Sequence, residues 1–279
     1  MFDLAANDPV PPFLRWAGGK QQLLQRMATF LPQDVRDRRY FEPFAGAASM
    51  FLALKPEGGV LSDANEQLIS CFGHVRDNPD LVCDYLLEHA RQNCEKYFYA
   101  TRVYFNRSGD SAAQAARFIY LNKTCFNGIY RVNERGEFNV PYGHKEPPRL
   151  PTRRELRLAA EALLNVTLTA APFADALAEA DEGDFVYLDP PYPPLNGTSY
   201  FTHYTANRFG WNDHAELAVV FADLSARGCM VMMSNADLPR VCKLFAGFTH
   251  SRLDVTRFIT CKKVKHTVKE LVITNYPLE

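Results

Sequence analysis

The sequence predicts an α/β fold in which a mostly parallel sheet is interrupted by a mainly helical insert, and three observations carry that expectation. Short apolar strands followed by glycine turns and helices recur from Tyr40 onward. The alternation stops between about residues 78 and 160, and it resumes at Asn165 and continues nearly to the end of the chain. Each element follows from local chemistry. Residues 1–12, with Pro9, Pro11 and Pro12, read as a flexible arm, and Gln21 to Phe30 reads as a helix. Tyr40 to Phe44 is a strand, Ala45 to Ser49 a glycine turn, and Met50 to Leu54 a helix. Gly59 to Asp63 is the next strand, and Leu68, Ile69, Phe72 and Val75 then recur at helical spacing. Within the insert, 81–90 and 112–121 are helical and are followed by a loop-rich basic stretch. Strands are expected again at 165–169, 184–189, 229–234, 249–259 and 268–276, with a helix over 213–226.

With 279 residues, 47% hydrophobic and 23% charged, the composition is that of an ordinary globular domain, which excludes disorder and low complexity for the bulk of the chain. No apolar run approaches the ~18 residues of a spanning helix, and the first dozen residues lack a signal-peptide pattern, so a cytosolic protein is expected. The seven cysteines are odd in number and contain no Cys-x-x-Cys pair, and they read as buried or semi-buried thiols. Net charge is −1, but it is unevenly spread: residues 123–157 hold eight bases against four acids, and 252–269 six against one. Such a distribution is compatible with a face presented to a polyanion, but on charge alone ordinary solvated charge is the favoured reading.

The most specific motif is Asp189-Pro190-Pro191-Tyr192, directly after the apolar strand 185–188. Open parallel sheets bind ligands beyond the carboxyl ends of their strands, where these residues fall. They suit transfer to an aromatic exocyclic amine, whose lone pair is delocalised into its ring. The Asp189 carboxylate and the Pro190 carbonyl can accept hydrogen bonds from the amine and draw its nitrogen toward tetrahedral geometry, while Tyr192 stacks on the ring. Asp-Pro-Pro also serves as a plain strand-ending turn. The turn Phe44-Ala45-Gly46-Ala47 lets the backbone approach a ligand, or is simply a loop, and Asp63 ends the next strand, where a carboxylate can bind ribose hydroxyls or a charged amino-acid group. Trp16-Ala17-Gly18-Gly19-Lys20 precedes a helix start suited to a carboxylate. Leu14 and Gln21 stand where a phosphate loop needs glycine and Ser or Thr, which disfavours a nucleotide triphosphatase.

Together these elements resemble the DNA adenine methyltransferase (Dam) family of S-adenosylmethionine-dependent enzymes, from about Phe13 to Tyr276. The marks are Trp-Ala-Gly-Gly-Lys at 16–20, Glu-Pro-Phe-Ala-Gly-Ala at 42–47, Ser-Asp-Ala-Asn at 62–65 and Asp-Pro-Pro-Tyr at 189–192. A fifth is Asn127-Gly128 with Arg131, Asn133 and the run 135–143. The resemblance implies a Rossmann-like methyltransferase core with a seven-stranded, mostly parallel sheet, formed by 13–77 and 161–279, and a target-recognition subdomain over 78–160. It further implies that Trp16, Lys20, Phe44, Gly46, Asp63 and Asp189 bind S-adenosylmethionine, and that Asp189, Pro190, Pro191 and Tyr192 hold a flipped adenine. Transfer would be direct, to adenine N6 within GATC, without a metal or a covalent enzyme intermediate; no Pro-Cys pair of the cytosine C5 enzymes is present.

By the same resemblance Phe126 wedges into the base stack, Asn127, Ile129 and Asn133 belong to the recognition hairpin, and Arg131 reads a guanine edge. Phe126 stands where close relatives often carry Tyr, and Arg15 where they often carry a Lys that touches the outer base. The loop 195–208, with Tyr200 and Tyr204, is expected to order over DNA or adenine, and the glycine-free basic segment 257–269, including Lys262 and Lys263, to meet phosphates. The expected partner is double-stranded DNA, bound by a chain that is a monomer in solution and associates with the nucleoid; more than one copy can share a DNA. Two other readings stay open at this level. One keeps the chemistry with a longer or shifted site, or with cytosine amine, RNA or protein as acceptor, and Asp at 189 favours adenine over those. The other is a catalytically silent DNA-binding module.

Overall fold

The computed structural model describes residues 4, 10–21, 23–144, 147–193, 209–259 and 264–278, without the side chains of 256–259 and 264–268. Its centre is a seven-stranded sheet. The strands are β1 (Tyr40–Glu42), β2 (Gly59–Asp63), β3 (Val166–Ala170), β4 (Phe185–Leu188), β5 (Met230–Ala236), β6 (Thr249–Ile259) and β7 (Val264–Thr274). They lie in the order β3-β2-β1-β4-β5-β7-β6. The first five run parallel, while β7 pairs antiparallel with both β5 and β6. All seven expected strands are present, within a few residues of their expected bounds.

The near-continuous apolar character of β1 and β4 follows from burial on both faces, which a parallel sheet covered by helices imposes. Because successive side chains point to opposite faces, each strand feeds two cores. Tyr40, Phe185, Tyr187, Met232 and Val272 join one, with Phe51, Phe72 and, from the stretch between β2 and β3, Phe98 and Tyr120. Phe41, Val186, Leu188, Val231, Met233 and Ile273 join the other, with Phe221 and Phe245.

Helices α1 (Leu24–Met27), α2 (Ser49–Leu54) and α3 (Glu66–Asp77) belong to the first half of the core. The block between β2 and β3 then adds α4 (Pro79–Gln92), α5 (Glu95–Phe105), α6 (Ala112–Thr124) and α7 (Arg153–Leu163). Between α6 and α7 the chain doubles back, with isolated bridges Cys125 to Tyr142 and Val132 to Phe138. The remaining helices are α8 (Phe173–Ala176), α9 (Trp211–Ala226) and α10 (Pro239–Leu244). Helix α7 lies in part of the stretch that reads as loop from sequence. Its first turns are arginine and glutamate, and only Leu156, Ala159, Ala160 and Leu163 are buried. Its start is fixed by a capping box, in which Thr152 Oγ1 accepts from the Glu155 N–H and the Glu155 carboxylate accepts from the Thr152 N–H.

Two residues of the segment read as an arm pack on the body: Leu4 is buried, and the Val10 N–H donates to the Leu52 carbonyl at 3.1 Å. The cysteines divide otherwise than expected. Cys71, Cys83, Cys125 and Cys229 are buried and Cys242 is partly so, but Cys94 is exposed at the start of α5, where it caps the helix by backbone alone; Cys261 lies outside the described residues. No helix among the described residues is long and apolar enough to cross a membrane.

Thr152→Ala removes one half of the capping box, and we expect a loss of about 1 kcal/mol in unfolding free energy. Urea denaturation checks this; an unchanged midpoint would show that packing alone holds the start of α7.

Candidate active site

The strand order reverses between β1 and β4: the chain proceeds from β1 outward to β2 and β3, then returns to lay β4 on the other side of β1. The carboxyl ends of β1 and β4 therefore flank a switch point, the usual ligand crevice of an open α/β sheet. Beyond β4 lies Asp189. Lys20, only 4% exposed, places its ammonium 2.6 Å from Asp189 Oδ1 and 2.8 Å from Oδ2, and donates also to the Gly18 carbonyl at 2.9 Å. Ser234, at the end of β5, donates to Asp189 Oδ1 at 2.6 Å, and the Tyr187 hydroxyl lies 3.2 Å from Ser234 Oγ. Oδ1 is thus shared by two donors, and Oδ2 by one.

Burial disfavours both charges of this pair. It pushes the Asp189 carboxyl above the usual carboxylate range against the pull of Lys20, and it draws the Lys20 ammonium down. At Lys20 burial is the largest single influence, but Asp189, Tyr187 and Glu270 together outweigh it, so its pKa is raised and the ammonium stays charged. Tyr192 is half-buried. Its hydroxyl donates to Glu270 Oε2 of β7 at 3.2 Å, and Lys20 Nζ lies 4.7 Å from its ring centroid. Beneath this group Glu42 is 3% exposed on β1, and its Oε2 accepts from the Tyr40 hydroxyl at 2.8 Å and the Phe51 N–H at 3.3 Å. Burial pushes its pKa up to about 8.

Beyond β1 the chain turns through Gly46 at φ +49°, where a side chain is disfavoured twice over: a Cβ would stand 2.6 Å from Trp16 Cδ1. The Gly46 N–H donates to Asp63 Oδ2 at 3.1 Å and the Asn65 N–H to Oδ1 at 3.0 Å, while burial lifts the Asp63 pKa to about 6. Trp16 itself stacks on Tyr130, with centroids 5.5 Å apart, and on Phe118 at 6.5 Å. Phe44 stacks on Phe173, the first residue of α8, at 5.4 Å and meets Phe209 edge-on at 5.6 Å. Trp16, Gly46 and Asp63 therefore form one linked group, and Lys20 and Asp189 a second across the same crevice.

A third group sits beside them. Asn122, buried on α6, accepts from the Arg15 N–H and donates to the Arg15 carbonyl, both at 2.8 Å. This two-way bond fixes the exposed Arg15 against the turn that follows α6. A Cβ on Gly128 would lie 2.6 Å from Arg15 Cδ, so the glycine makes room for that side chain. Phe126 is 53% exposed, and Asn127 is exposed with φ +56°, a conformation asparagine tolerates. Ile129 is half-buried. Arg131 is exposed and its Nε donates to Asn139 Oδ1 at 2.8 Å. Asn133 is committed to its own turn: its Oδ1 accepts from the N–H groups of Arg135 and Glu137, and its Nδ2 donates to Glu137.

The bases of the insert thus have different fates. Arg153 and Arg157 pair with Asp80 and Asp84 of α4, whereas Arg131 is exposed and bonds to Asn139. Tyr200, Tyr204, Lys262 and Lys263 lie outside the described residues. Sequence reasoning missed Glu42, Asn122, Phe173, Ser234 and Glu270. Only Phe173 carries a local signal, an aromatic three residues past the end of β3; Asn122, Ser234 and Glu270 act on residues distant in the chain, and Glu42 is set apart only by its burial. Among the described residues no group of His, Cys, Asp and Glu side chains is arranged to hold a metal ion.

The family model for D12 class N6 adenine-specific DNA methyltransferases matches residues 16–259. A type II methyltransferase of Lactococcus lactis subsp. cremoris is 36% identical over 273 residues, covering 95% of each chain. One of Methanocaldococcus jannaschii is 37% identical over 287 residues, 96% of this chain and 99% of its own. A DNA adenine methylase of Escherichia coli K12 is 38% identical over 231 residues, 81% of this chain and 80% of its own.

The raised pKa of Glu42 has a definite sign in stability. Between its ordinary 4.5 and about 8 the folded chain keeps a proton that the unfolded chain has lost, so this group's contribution falls as pH rises through that window and is level above it. Glu42→Gln retains an acceptor for Tyr40 and Phe51 without the titration. Its unfolding free energy, measured by urea denaturation between about pH 5 and pH 8, is expected to gain on that of the parent chain with rising pH. Parallel curves would show that Glu42 is already ionised in the fold.

Proposed function

The chain belongs to the D12 class of N6 adenine-specific DNA methyltransferases, and from that premise we propose that it methylates a flipped adenine within GATC of duplex DNA, using the three groups at the switch point. The observation that carries this reading is the convergence of Asp189 and Tyr192 with the Trp16–Gly46–Asp63 group, next to the Arg15–Gly128 contact.

The residues present fit S-adenosylmethionine. The glycine at 46 keeps the turn after β1 bare, and Asp63 uses one lone pair of each oxygen on backbone N–H groups and keeps the others for hydroxyls. Trp16, Lys20, Phe44, Gly46, Asp63 and Asp189 would hold the cofactor, which supplies a methyl group made electrophilic by its sulfonium. The remaining chemistry belongs to the protein. Asp189 Oδ2, with one donor against two at Oδ1, has acceptor capacity for the adenine N6 hydrogen, and the Pro190 carbonyl takes the other. These bonds turn the N6 lone pair out of conjugation. As the nitrogen gains positive charge in the reaction, the Asp189 carboxylate stabilises it and holds its proton until water removes it. Tyr192 covers the base, and the flanking Pro191 and Pro193 restrict the backbone on either side of it.

In the recognition group, Phe126 is the exposed ring available to enter the base stack, Asn127 follows it, and Arg15 lies against Gly128. Arg131 would exchange Asn139 for a guanine edge. Asn133 acts by shaping the turn. Tyr200, Lys262 and Lys263 complete the expected DNA contacts. A second reading concerns biological setting: a modification enzyme paired with a restriction endonuclease. It is favoured by coverage, because the two type II relatives align over 95% and 96% of this chain and the E. coli methylase over 81%.

Modified-base sequencing of genomic DNA from a methylation-deficient host tests the proposal. We expect methyladenine at GATC with the parent chain and none with Asp189→Ala; substantial methylation by that variant would remove Asp189 from the reaction. Arg131→Ala is expected to relax discrimination at one guanine by roughly tenfold or more, the worth of a bidentate arginine contact. An unchanged methylated motif would exclude Arg131 from base reading.

A further inference from the structure

Glu270, on β7 beside β5, is only 5% exposed. A buried carboxylate is retained at a cost unless it is hydrogen-bonded, so the identity of its partner is informative. One of its partners is the hydroxyl of Tyr192, at 3.2 Å, and its charge also acts on Lys20. Resting on the catalytic reading above, we propose that Glu270 is a positioning residue that holds the Tyr192 ring at the angle needed to stack on the target adenine.

The backbone makes the contact effective. Tyr192 stands between Pro191 and Pro193, whose rings fix φ on either side, so the main remaining freedom is rotation of the side chain. A hydrogen bond at the far end of a rigid phenol restrains that rotation with the longest lever the side chain offers. Lys20 lies against the same ring at 4.7 Å, and its ammonium is itself fixed by Asp189. Strand register shows that the arrangement is shared with the other end of the motif. Ser234 pairs with Val272 and Ala236 with Glu270, so Ser234 and Glu270, two residues apart along the β5–β7 ladder, project from the same face of the sheet. From that face Ser234 holds Asp189 and Glu270 holds Tyr192. Neighbouring strands thus fix the acceptor and the stacking ring relative to each other.

The test is single-turnover methyl transfer from tritiated S-adenosylmethionine to unmethylated genomic DNA, with DNA affinity measured in parallel. Glu270→Leu and Tyr192→Phe are each expected to slow transfer about five- to tenfold, the effect of one hydrogen bond, with DNA affinity changed less than about twofold. Glu270→Gln, which keeps an acceptor oxygen, should restore the rate to within about twofold of the parent. The double variant Glu270→Leu/Tyr192→Phe should be clearly faster than the product of the two single effects predicts, because both remove the shared Tyr192–Glu270 bond. A parent-like rate for Tyr192→Phe, multiplying effects in the double variant, or a Glu270→Gln as slow as Glu270→Leu would each overturn the proposal. If Glu270→Leu fails to fold, Tyr192→Phe and Glu270→Gln decide it alone. A parent chain that transfers no methyl group to adenine refutes the catalytic reading itself, an outcome distinct from any of these.

Discussion

The site depends on one buried ion pair. Lys20 and Asp189 are separated by 169 positions in the chain, and their contact ties the loop before α1 to the end of β4. Removing either charge leaves the other stranded in a poorly hydrated crevice, which is why such a pair is far more expensive to break than to omit. Once Lys20 is fixed, the five residues before it have little choice of path. Trp16 is laid over the Gly46 turn, and Arg15 is carried out to Asn122 and Gly128. A single short loop therefore reaches the crevice with one residue and the turn after α6 with its neighbour.

Most of the sheet was legible in the sequence because parallel strands buried on both faces leave an apolar run that ends at a glycine turn or a carboxylate. Asp63 and Asp189 fall at such ends, and so could be assigned to the ligand edge before any coordinates. What could not be read is whatever depends on pairing across the chain. Asn122 gives no hint of Arg15, 107 positions away, and Ser234 none of Asp189. Glu42 sits inside the motif that identifies the first turn, yet the burial that raises its pKa follows from how β1 is packed within the sheet. Helix α7 was hidden because its capping box and charged first turns have the composition of a loop.

Charge counting shows the same limit. The excess of bases over 123–157 is compatible with a polyanion-binding face or with solvated charge, and two of those arginines are in fact committed to carboxylates of α4. Composition reports how many charges a segment holds, and only packing divides them between internal bracing and outward presentation. Exposed pairs of this kind contribute little stability each, so their effect is chiefly to fix how α7 lies against α4.

The antiparallel insertion of β7 has a consequence for how such an enzyme can change over evolution. Five residues of β7 pair with β5, from Glu270 to Thr274, whereas its ladder with β6 has eleven pairs and runs on to Val264. The extra six residues extend past the end of β5 on the ligand side, an overhang of roughly 20 Å at about 3.3 Å per residue. Because β5 stops short, this two-stranded ribbon is decoupled from the seven-strand scaffold below it. Its length and sequence can drift while the hydrophobic layers and the catalytic edge stay as they are. The fold thereby offers a module on which neighbouring lineages can acquire different contacts without redesigning the enzyme beneath.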